Sequence, residues 1–472
     1  MKVAPFPLGG SGEDYDSKQS RGKAVNLLPE ANKDGTFRRV QRTEGLKDWT
    51  TAGNGPIRSN MLLNSGFIYF VSGDDLFRID AAKNVSNLGS VFGSGRARLR
   101  NLGQPADNEI IILNGTGTGY TYSDGAGLAI ISDGDWDGSV HGDTLNERFF
   151  AAISGKNEVQ FSAISDATSY GANDFFSAEE DADNVVGCVT KKSVLWVFGE
   201  RSVEAWQTST DSSLPVRKIQ GATLERGCSS VNSISTVDEY TAWLADDGTV
   251  RMLVGSQMTK ISDLELERKI RGSAKTAGFT KSDDAIGFWI DGPVHKRYVL
   301  TFPTADFTWV YDLGTGLSHE LTSEGIGRWR GNAAVSAFDT ILIGSYDTNE
   351  IWEYDPQTFD ESGDDLAAEL VSDSISFPMN VTIPLIEVEM ETGVGILSGQ
   401  GSDPEMLVYY SKDGGETFTQ ASSVKLGEIG QYTKRVPLRQ FGRLVRHNDF
   451  VLKLRVTDPV EVTFYGAVIY YE

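Results

Sequence analysis

Three aspartates, Asp133, Asp135 and Asp137, alternate along the stretch SDGDWDG. Carboxylate oxygens in this pattern are ligands that Ca²⁺ prefers. The stretch lacks the glutamate at the twelfth position that closes an EF-hand loop. We therefore favour a glycine-rich turn, and we leave open whether a cation binds between Asp133 and Asp137.

The octet SKDGGETF, from Ser411 to Phe418, fits the Asp-box pattern Ser-x-Asp-x-Gly-x-Thr-aromatic that recurs in the blades of sialidase-type propellers. It occurs once, near the C-terminus, and no spacing indicates the arginine cluster and activated tyrosine of a sialidase. We interpret it as a hairpin in which Asp413 accepts from backbone amides and Gly414-Gly415 make the turn. A sialidase-like propeller that acts on or binds carbohydrate, in a virion or a secreted protein, remains the alternative function.

The other residue types that carry catalysis are sparse. Four histidines lie far apart with no HExxH pattern, and two cysteines, Cys188 and Cys228, form no CxxC pair. The stretch GTGTGY, Gly115 to Tyr120, precedes no predicted helix and so lacks the amides of a phosphate loop. The sequence therefore predicts no enzyme, with no catalytic, cofactor-binding or metal-binding residues and no cofactor.

The charge balance narrows the function classes further. The 472 residues include 43 Lys and Arg against 66 Asp and Glu, a net charge of −23. Wrapping DNA requires dense Lys and Arg, so that class is excluded. The N-terminus has no apolar signal-peptide core, and no window approaches the roughly 18 apolar residues of a membrane span.

One pattern recurs along the chain: an apolar run, a tight Gly/Asp turn and an alternating run, which together predict a β-hairpin. Hairpins begin at Phe67, Glu109, Arg148, Ser193, Tyr240, Lys296 and Thr340. Their spacing of roughly 40–55 residues leaves room for four strands in each unit, which is one propeller blade. We predict seven blades, or six if the first hairpin belongs to the N-terminal part; the rival is an irregular β-sandwich chain. We expect a positive φ at the turn glycines Gly73, Gly115, Gly155, Gly199 and Gly248.

The predicted fold class is all-β, with a β-propeller, a C-terminal β-sandwich and an extended N-terminal arm. Residues 1–50 have many loop residues and little alternation, and form the arm; residues 51–365 form the propeller and 366–472 the sandwich. The acidic stretch Asp360–Asp365 reads as a polar connector. One helix is predicted over Asp263–Gly272, with Ser262 as its N-cap.

Two stretches are basic although the chain is acidic. One runs from Lys18 to Lys47 and the other from Lys434 to Arg455. A solvated strand face explains such a stretch, and so does docking against an acidic neighbour, which in this chain includes another copy of itself.

Five phrases carry a family resemblance. They are RGKAVNLLPE (Arg21–Glu30), LGSVFGSGRARL (Leu88–Leu99), FFSAEEDADNVVGCVTKKSVLWVFGERSVEAW (Phe175–Trp206), GATLERGCSS (Gly221–Ser230) and the segment from ETGVG (Glu391–Gly395) to the C-terminus. In this order they resemble the tail hub proteins of short-tailed bacteriophages, also called packaged-DNA stabilisation or tail nozzle proteins. Relatives usually carry a tryptophan near Pro437-Leu438, where this chain has none.

The resemblance implies a structural virion protein of the phage tail, assembled in the host bacterial cytoplasm as a homohexameric ring below the portal and adaptor. The ring would extend the DNA channel and retain packaged DNA, which passes without sequence-specific binding. Its partners would be the tail adaptor protein, tailspikes or tail fibres, and a tail plug or needle. We select as assembly residues Arg21, Asn26, Pro29, Glu30, Lys434, Arg435, Arg439, Arg443 and Arg446.

Overall fold

A computed structural model of the protein describes residues 1–8, 22–31, 37–103, 109–178, 183–211, 214–273 and 277–472. Strands form nearly all regular structure in these ranges. The helix α1 (Leu264–Arg271) is the only α-helix among the described residues.

The N-terminal segment is built from strands. They are β1 (Lys2–Phe6), β2 (Lys23–Val25), β3 (Leu27–Ala31), β4 (Phe37–Arg42) and β5 (Gly45–Thr51). This corrects the expectation of a loop-rich arm. Ala24, Val25, Leu27 and Leu28 are all buried, so β2 and β3 show no alternation of polar and apolar residues. Strands that are covered on both faces cannot be recognised by a period of two.

Within the described ranges seven antiparallel four-stranded blades follow, and each predicted hairpin forms the two middle strands of one blade. Blade 1 is β6 (Leu62–Asn64), β7 (Phe67–Ser72), β8 (Asp75–Ile79) and β9 (Val85–Ser90); blade 2 is β10 (Arg98–Asn101), β11 (Ile110–Leu113), β12 (Gly119–Ser123) and β13 (Gly127–Ile130); blade 3 is β14 (Ser139–Leu145), β15 (Arg148–Ile153), β16 (Glu158–Phe161) and β17 (Phe175–Ser177); blade 4 is β18 (Val185–Lys191), β19 (Val194–Gly199), β20 (Val203–Thr208) and β21 (Val216–Lys218).

The chain then completes the ring. Blade 5 is β22 (Ser235–Val237), β23 (Tyr240–Leu244), β24 (Val250–Val254) and β25 (Gln257–Lys260); blade 6 is β26 (Ile286–Asp291), β27 (Lys296–Phe302), β28 (Phe307–Asp312) and β29 (Ser318–Glu320); blade 7 has β30 (Gly331–Ala337), β31 (Thr340–Ser345) and β32 (Glu350–Asp355). The fourth strand of blade 7 is the N-terminal β5, which pairs antiparallel with β32. Backbone hydrogen bonds between the two ends of the propeller therefore close it.

The C-terminal part is a β-sandwich that includes N-terminal strands. Its strands, with the two before them, are β33 (Asp360–Glu361), β34 (Asp364–Asp365), β35 (Ala368–Val371), β36 (Ile375–Ser376), β37 (Val381–Thr382), β38 (Leu385–Met390), β39 (Glu405–Ser411), β40 (Thr419–Lys425), β41 (Val436–Leu438), β42 (Arg443–Leu444), β43 (Asp449–Val456) and β44 (Thr463–Tyr471). One sheet has the order β3-β4-β44-β38-β41, with β1 also on β44. The other contains β35-β43-β39-β40. The predicted fold class, a propeller plus a sandwich, is confirmed.

A single sheet runs from the propeller into the sandwich. Strand β2 pairs in parallel with β29 of blade 6, at Val25 and Glu320, and antiparallel with β35 on its other edge. The resulting order is β26-β27-β28-β29-β2-β35-β43-β39-β40. Three residues of the N-terminal segment thus join the two halves of the molecule by backbone hydrogen bonds.

The sandwich core depends on the same segment. Phe6, Leu8, Ala24, Leu27 and Val40 are buried in one cluster with the apolar side chains of β38, β39, β43 and β44. Without them part of the facing apolar surface of the two sandwich sheets would be exposed to water.

Two local predictions need correction. The N-cap of α1 is Asp263, whose side chain accepts from the Leu266 amide at 2.7 Å, and not Ser262, whose hydroxyl donates to Glu267. Gly199 does not have the predicted positive φ; a Cβ there would lie 2.6 Å from Asp183 Oδ2, so the position requires a small residue. The remaining predicted turn glycines have positive φ, and they are Gly73, Gly115, Gly155 and Gly248.

The predicted connector, Asp360–Asp365, is a short hairpin of β33 and β34 that packs on blade 7. Its Glu361 is fully buried, and the indole Nε1 of Trp329 donates to its carboxylate at 2.8 Å. Burial raises the pKa of Glu361 to about 7. The nearest cation, Arg330, is 3.7 Å away and compensates only in part.

Glu361→Gln should remove a pH dependence of stability. The folded-state pKa is raised, so the folded protein holds the proton more tightly than the unfolded chain, and stability falls as pH rises from about 4.5 to about 7. The loss amounts to about 3 kcal/mol for a shift of this size. Urea unfolding at pH 5, 6, 7 and 8 should show a flatter profile for Glu361→Gln. The exposed Glu324→Gln is the control, and an equal slope in wild type and Glu361→Gln would contradict the assignment.

Residues 366–472 alone should not fold. The fragment lacks β1, β2 and β4, so one edge of β44 and one of β35 lose their partners, and five core side chains are missing. The four larger ones, Phe6, Leu8, Leu27 and Val40, each forfeit about 1.5–3 kcal/mol of burial, which together rivals the 5–15 kcal/mol stability of a whole domain. Circular dichroism and amide NMR should show an unfolded or aggregated fragment. The same fragment fused through a flexible linker to residues 1–43 should fold, and a dispersed spectrum from the bare fragment would refute the prediction.

Candidate assembly surface

The N-terminal assembly candidates lie at a junction inside the chain. Asn26 is buried, with φ 53°, between β2 and β3. Its Nδ2 donates to the carbonyl oxygens of Thr322 at 3.0 Å and Ala367 at 2.9 Å, and its Oδ1 accepts from the Thr322 amide at 3.0 Å. One side chain thus connects the loop after blade 6 to the segment that leads into the sandwich.

Pro29 and Glu30 are also taken up within the chain. Both lie on β3 and pair with β4, Pro29 opposite Val40 and Glu30 opposite Arg39. The Arg39 guanidinium donates to both carboxylate oxygens of Glu30, each at 3.0 Å. Asn26, Pro29 and Glu30 are therefore buried against their own chain, and their selection as assembly residues stays a prediction. Arg21 lies outside the described residues.

Arg42, one of the cations in the first basic stretch, is likewise buried. Its guanidinium donates to the carbonyl oxygens of Asp458 at 2.5 Å, Val460 at 2.8 Å and Leu366. Burial lowers its pKa to about 10. Sequence reasoning missed this role because carbonyl acceptors are present at every residue and leave no signal in the sequence.

The C-terminal basic stretch divides into paired and unpaired cations. Arg435 forms a two-pronged ion pair with Glu387, at 2.5 and 2.7 Å, while Lys453 lies 3.7 Å from Glu369. Lys434 is half-buried, and its aliphatic chain lies against Gly427. These three side chains therefore contact groups of their own chain.

The unpaired arginines are Arg439, Arg443 and Arg446, which are exposed and have no carboxylate within ion-pair distance among the described residues. β42 brings Arg443 opposite Thr382 of β37, and the Arg446 amide donates to Asn380 at 2.7 Å. Two exposed apolar side chains adjoin Asn380 and Arg446 along the chain, Met379 and Val445, each 58% exposed. We call Arg439, Arg443 and Arg446, with Met379 and Val445, the arginine surface.

The arginine surface presents three exposed guanidinium groups, a group type suited to binding carboxylates. Guanidinium groups bind carboxylates in two-pronged geometry. Burial of the neighbouring apolar side chains in the same contact would add favourable hydrophobic free energy. Exposed cations in a chain of net charge −23 that have found no internal partner are available to a second molecule.

The octet from Ser411 to Phe418 is the hairpin turn between β39 and β40 of the sandwich. The Thr417 amide donates to Asp413 Oδ1 at 3.0 Å, and its hydroxyl to Oδ2 at 2.6 Å. Burial opposes the charge, yet hydrogen bonds from Ser411 and Thr417 lower the pKa of Asp413 to about 2. The carboxylate is therefore committed to shaping the turn.

The aspartates of SDGDWDG also form a turn. Asp133 accepts from the amides of Asp135 at 2.9 Å and Tyr170 at 3.1 Å, and Asp137 pairs with Lys156 at 2.8 Å. Across the described ranges no group of three or more His, Cys, Asp or Glu side chains is placed to hold a metal ion. In the same ranges, no helix has the length and apolar content needed to cross a membrane.

Family models match nearly all of the chain. The bacteriophage P22 Gp10 β-propeller model matches residues 10–358, and the bacteriophage P22 Gp10 β-sandwich model matches residues 377–472. A search of curated proteins finds no match.

A search of solved structures finds matches of low similarity. A streptogramin B lyase is 8% identical, with TM-score 0.41, over 75% of this chain and 96% of its own. The WD40 propeller domain of Doa1 is 9% identical, with TM-score 0.42, over 66% and 97%. BamB from Moraxella catarrhalis is 8% identical, with TM-score 0.38, over 75% and 97%.

Asn26→Ala should destabilise the protein strongly. It removes the hydrogen bonds that the buried Asn26 side chain makes to Thr322 and Ala367 and places alanine at a positive φ. The expected loss is about 3–4 kcal/mol, from unsatisfied buried groups and backbone strain. The matched control is Asn146→Ala, at φ 49° but exposed and with one side-chain bond to Thr208. Denaturant unfolding that gives equal losses for the two variants would contradict the junction role.

Proposed function

The chain belongs to the bacteriophage P22 Gp10 family, the tail hub or nozzle proteins of short-tailed phages, and on that premise we propose that it forms a ring that extends the DNA channel of the tail. Proteins of this family are structural components of the virion. The observation that carries the proposal is the match of both family models, in order, to the propeller and the sandwich of one chain.

The proposed ring is a homohexamer below the portal and the tail adaptor. In it the protein retains packaged DNA and holds tailspikes or fibres at its sides and a plug or needle at its tip. The charge of the chain supports a channel role, since a subunit of net charge −23 that presents a negative wall would repel phosphates and let DNA move without adhering.

Docking between subunits is proposed to use the arginine surface. A neighbouring copy is rich in carboxylates, and interactions between exposed charges are screened beyond about 8 Å at physiological salt. Attraction must therefore be local, between the arginine surface and an acidic patch in direct contact with it, because the chains as wholes repel each other.

The alternative, a propeller that acts on or binds carbohydrate, rests on the octet. The octet forms a hairpin turn of the sandwich, and its Asp413 carboxylate accepts hydrogen bonds within that turn. Purified protein assayed on host surface glycans separates the two functions. Electron microscopy of the recombinant protein, and of phage particles with and without it, tests the proposed tail role. Rings of six and loss of packaged DNA in its absence are expected; a monomer in both settings that cleaves glycan would reject the tail role.

Arg443→Glu combined with Arg446→Glu should weaken ring assembly while the monomer stays folded. Exposed ion pairs contribute about 0–1 kcal/mol each, so two reversals should raise the protein concentration for half-assembly by about tenfold. The defect should shrink as salt rises, because screening weakens attraction and repulsion alike. Sedimentation velocity at two salt concentrations measures both effects.

The control reverses two exposed cations on the propeller, Arg201→Glu with Lys281→Glu, and changes net charge by the same amount. If the control and the arginine-surface variant both assemble as well as the wild type does, the docking site is rejected. Duplex DNA retained by wild type and lost only in the arginine-surface variant, with rings intact, would assign the surface to DNA instead.

A further inference from the structure

The propeller has a cavity of about 480 Å³ between its blades, partly open to solvent. Its walls come from all seven blades: residues just before β6 in blade 1, and the first strands β10, β14, β18, β22, β26 and β30 of the others. Among the described side chains that line it are three arginines and two aspartates: Arg96, Arg98, Arg100, Asp143 and Asp291.

The three arginines share one wall because they alternate along one extended segment. Successive side chains of a strand point to opposite faces, so Arg96, Arg98 and Arg100 face the cavity together, and Ala97 and Leu99 between them are buried. Three cations on one narrow wall repel each other unless anions lie between them.

Hydrogen bonds and ion pairs within the chain compensate only part of the positive charge of the three arginines. Arg100 is paired, with its Nε 3.1 Å from Asp143 Oδ1. Arg96 donates from Nη1 to the carbonyl of Asn332 at 2.9 Å. Arg98 is 91% buried, and the single hydrogen bond of its guanidinium to a described group is one of 3.4 Å from Nη2 to the carbonyl of Ile234.

The two carboxylates that line the cavity do not neutralise Arg96 and Arg98. Asp143 also accepts from the Thr190 amide at 2.9 Å, and Asp291 forms its ion pair with Lys296. Neither Arg96 nor Arg98 has a carboxylate within ion-pair distance among the described residues. Burial lowers the pKa of Arg96 to about 10, and burial with repulsion from Arg100 and Arg96 places the pKa of Arg98 well below its usual range.

We propose that the central cavity of the propeller binds a small oxyanion, phosphate or carboxylate, through the guanidinium groups of Arg96, Arg98 and Arg100. Planar guanidinium groups match the oxygen spacing of both anions. The cavity has the volume of a small-molecule site, roughly 300–1,000 Å³, and takes a small anion but not a nucleic acid duplex. A buried cation without an anion is costly, so the empty cavity should be the less stable state.

The test is a titration of the full-length protein with inorganic phosphate, and in parallel with citrate, at ionic strength held constant with NaCl. Thermal melting should rise by a few degrees with phosphate or citrate, as expected when a ligand binds only the folded state. Calorimetry should give one site per chain. The stronger of the two arms identifies the anion as phosphate or carboxylate.

Arg98→Gln should bind the anion roughly 10- to 100-fold more weakly, the usual effect of losing a charge-assisted hydrogen bond. In buffer without phosphate or citrate the same variant should melt at or above the temperature of wild type, because the uncompensated charge is gone. A purely structural arginine would give the opposite result, a lower melting temperature with no anion dependence. The exposed Arg201→Gln is the control and should behave as wild type in both buffers.

Two outcomes would overturn the site. One is a wild-type protein whose melting does not respond to phosphate or citrate beyond the matched NaCl series. The other is Arg98→Gln binding as tightly as wild type. Arg96→Lys, which keeps the charge but loses the planar fork, supplies the second variant if Arg98→Gln does not fold. Ring assembly does not enter the readout, so the outcome is independent of the tail role.

Discussion

The molecule depends on backbone pairing by the N-terminal segment. An unpaired strand edge is a row of exposed donors and acceptors, and both halves of this protein would have such edges if they stood alone. β5 closes the propeller against β32, β4 and β1 cover β44, and β2 bridges β29 and β35. One segment of about fifty residues thus completes the propeller, the sandwich and the sheet that joins them.

Buried polar groups fix the register of this segment. Arg297 donates to both oxygens of Glu44, at 2.6 and 2.8 Å, and although burial opposes the charge, Arg297 lowers the pKa of Glu44 to about 2. Lys23 on β2 lies 2.9 Å from Glu320 of blade 6. A slip by one residue would separate each of these pairs and leave charge buried without a partner, which costs about 3–5 kcal/mol.

Sequence reasoning succeeded where partners are close along the chain. The seven hairpins, the octet and the helix from Leu264 to Arg271 each join neighbouring residues, so turn chemistry and alternation reveal them. It failed for the N-terminal segment, because Asn26 meets Thr322 and Ala367 about three hundred residues away. Of the selected assembly residues, Arg439, Arg443 and Arg446 are exposed while Asn26 and Pro29 are buried, and the role of all of them in assembly stays a prediction. The alternating Arg96, Arg98 and Arg100 did leave a signal, since charges on every second residue of a strand mark one face.

The bridge at β2 has a mechanical consequence. Two domains in one chain usually move relative to each other, because the surface between them is small and polar. Here a hinge at the junction would have to break one edge of β2 together with the Asn26 bonds on the same side. These are either the pairing with β29 and the bonds to Thr322, or the pairing with β35 and the bond to Ala367. Each bond is modest alone, about 0.5–1.5 kcal/mol, but they open only as a set. A subunit of the proposed ring, pressed by DNA from one side, would therefore transmit load from sandwich to propeller as one body.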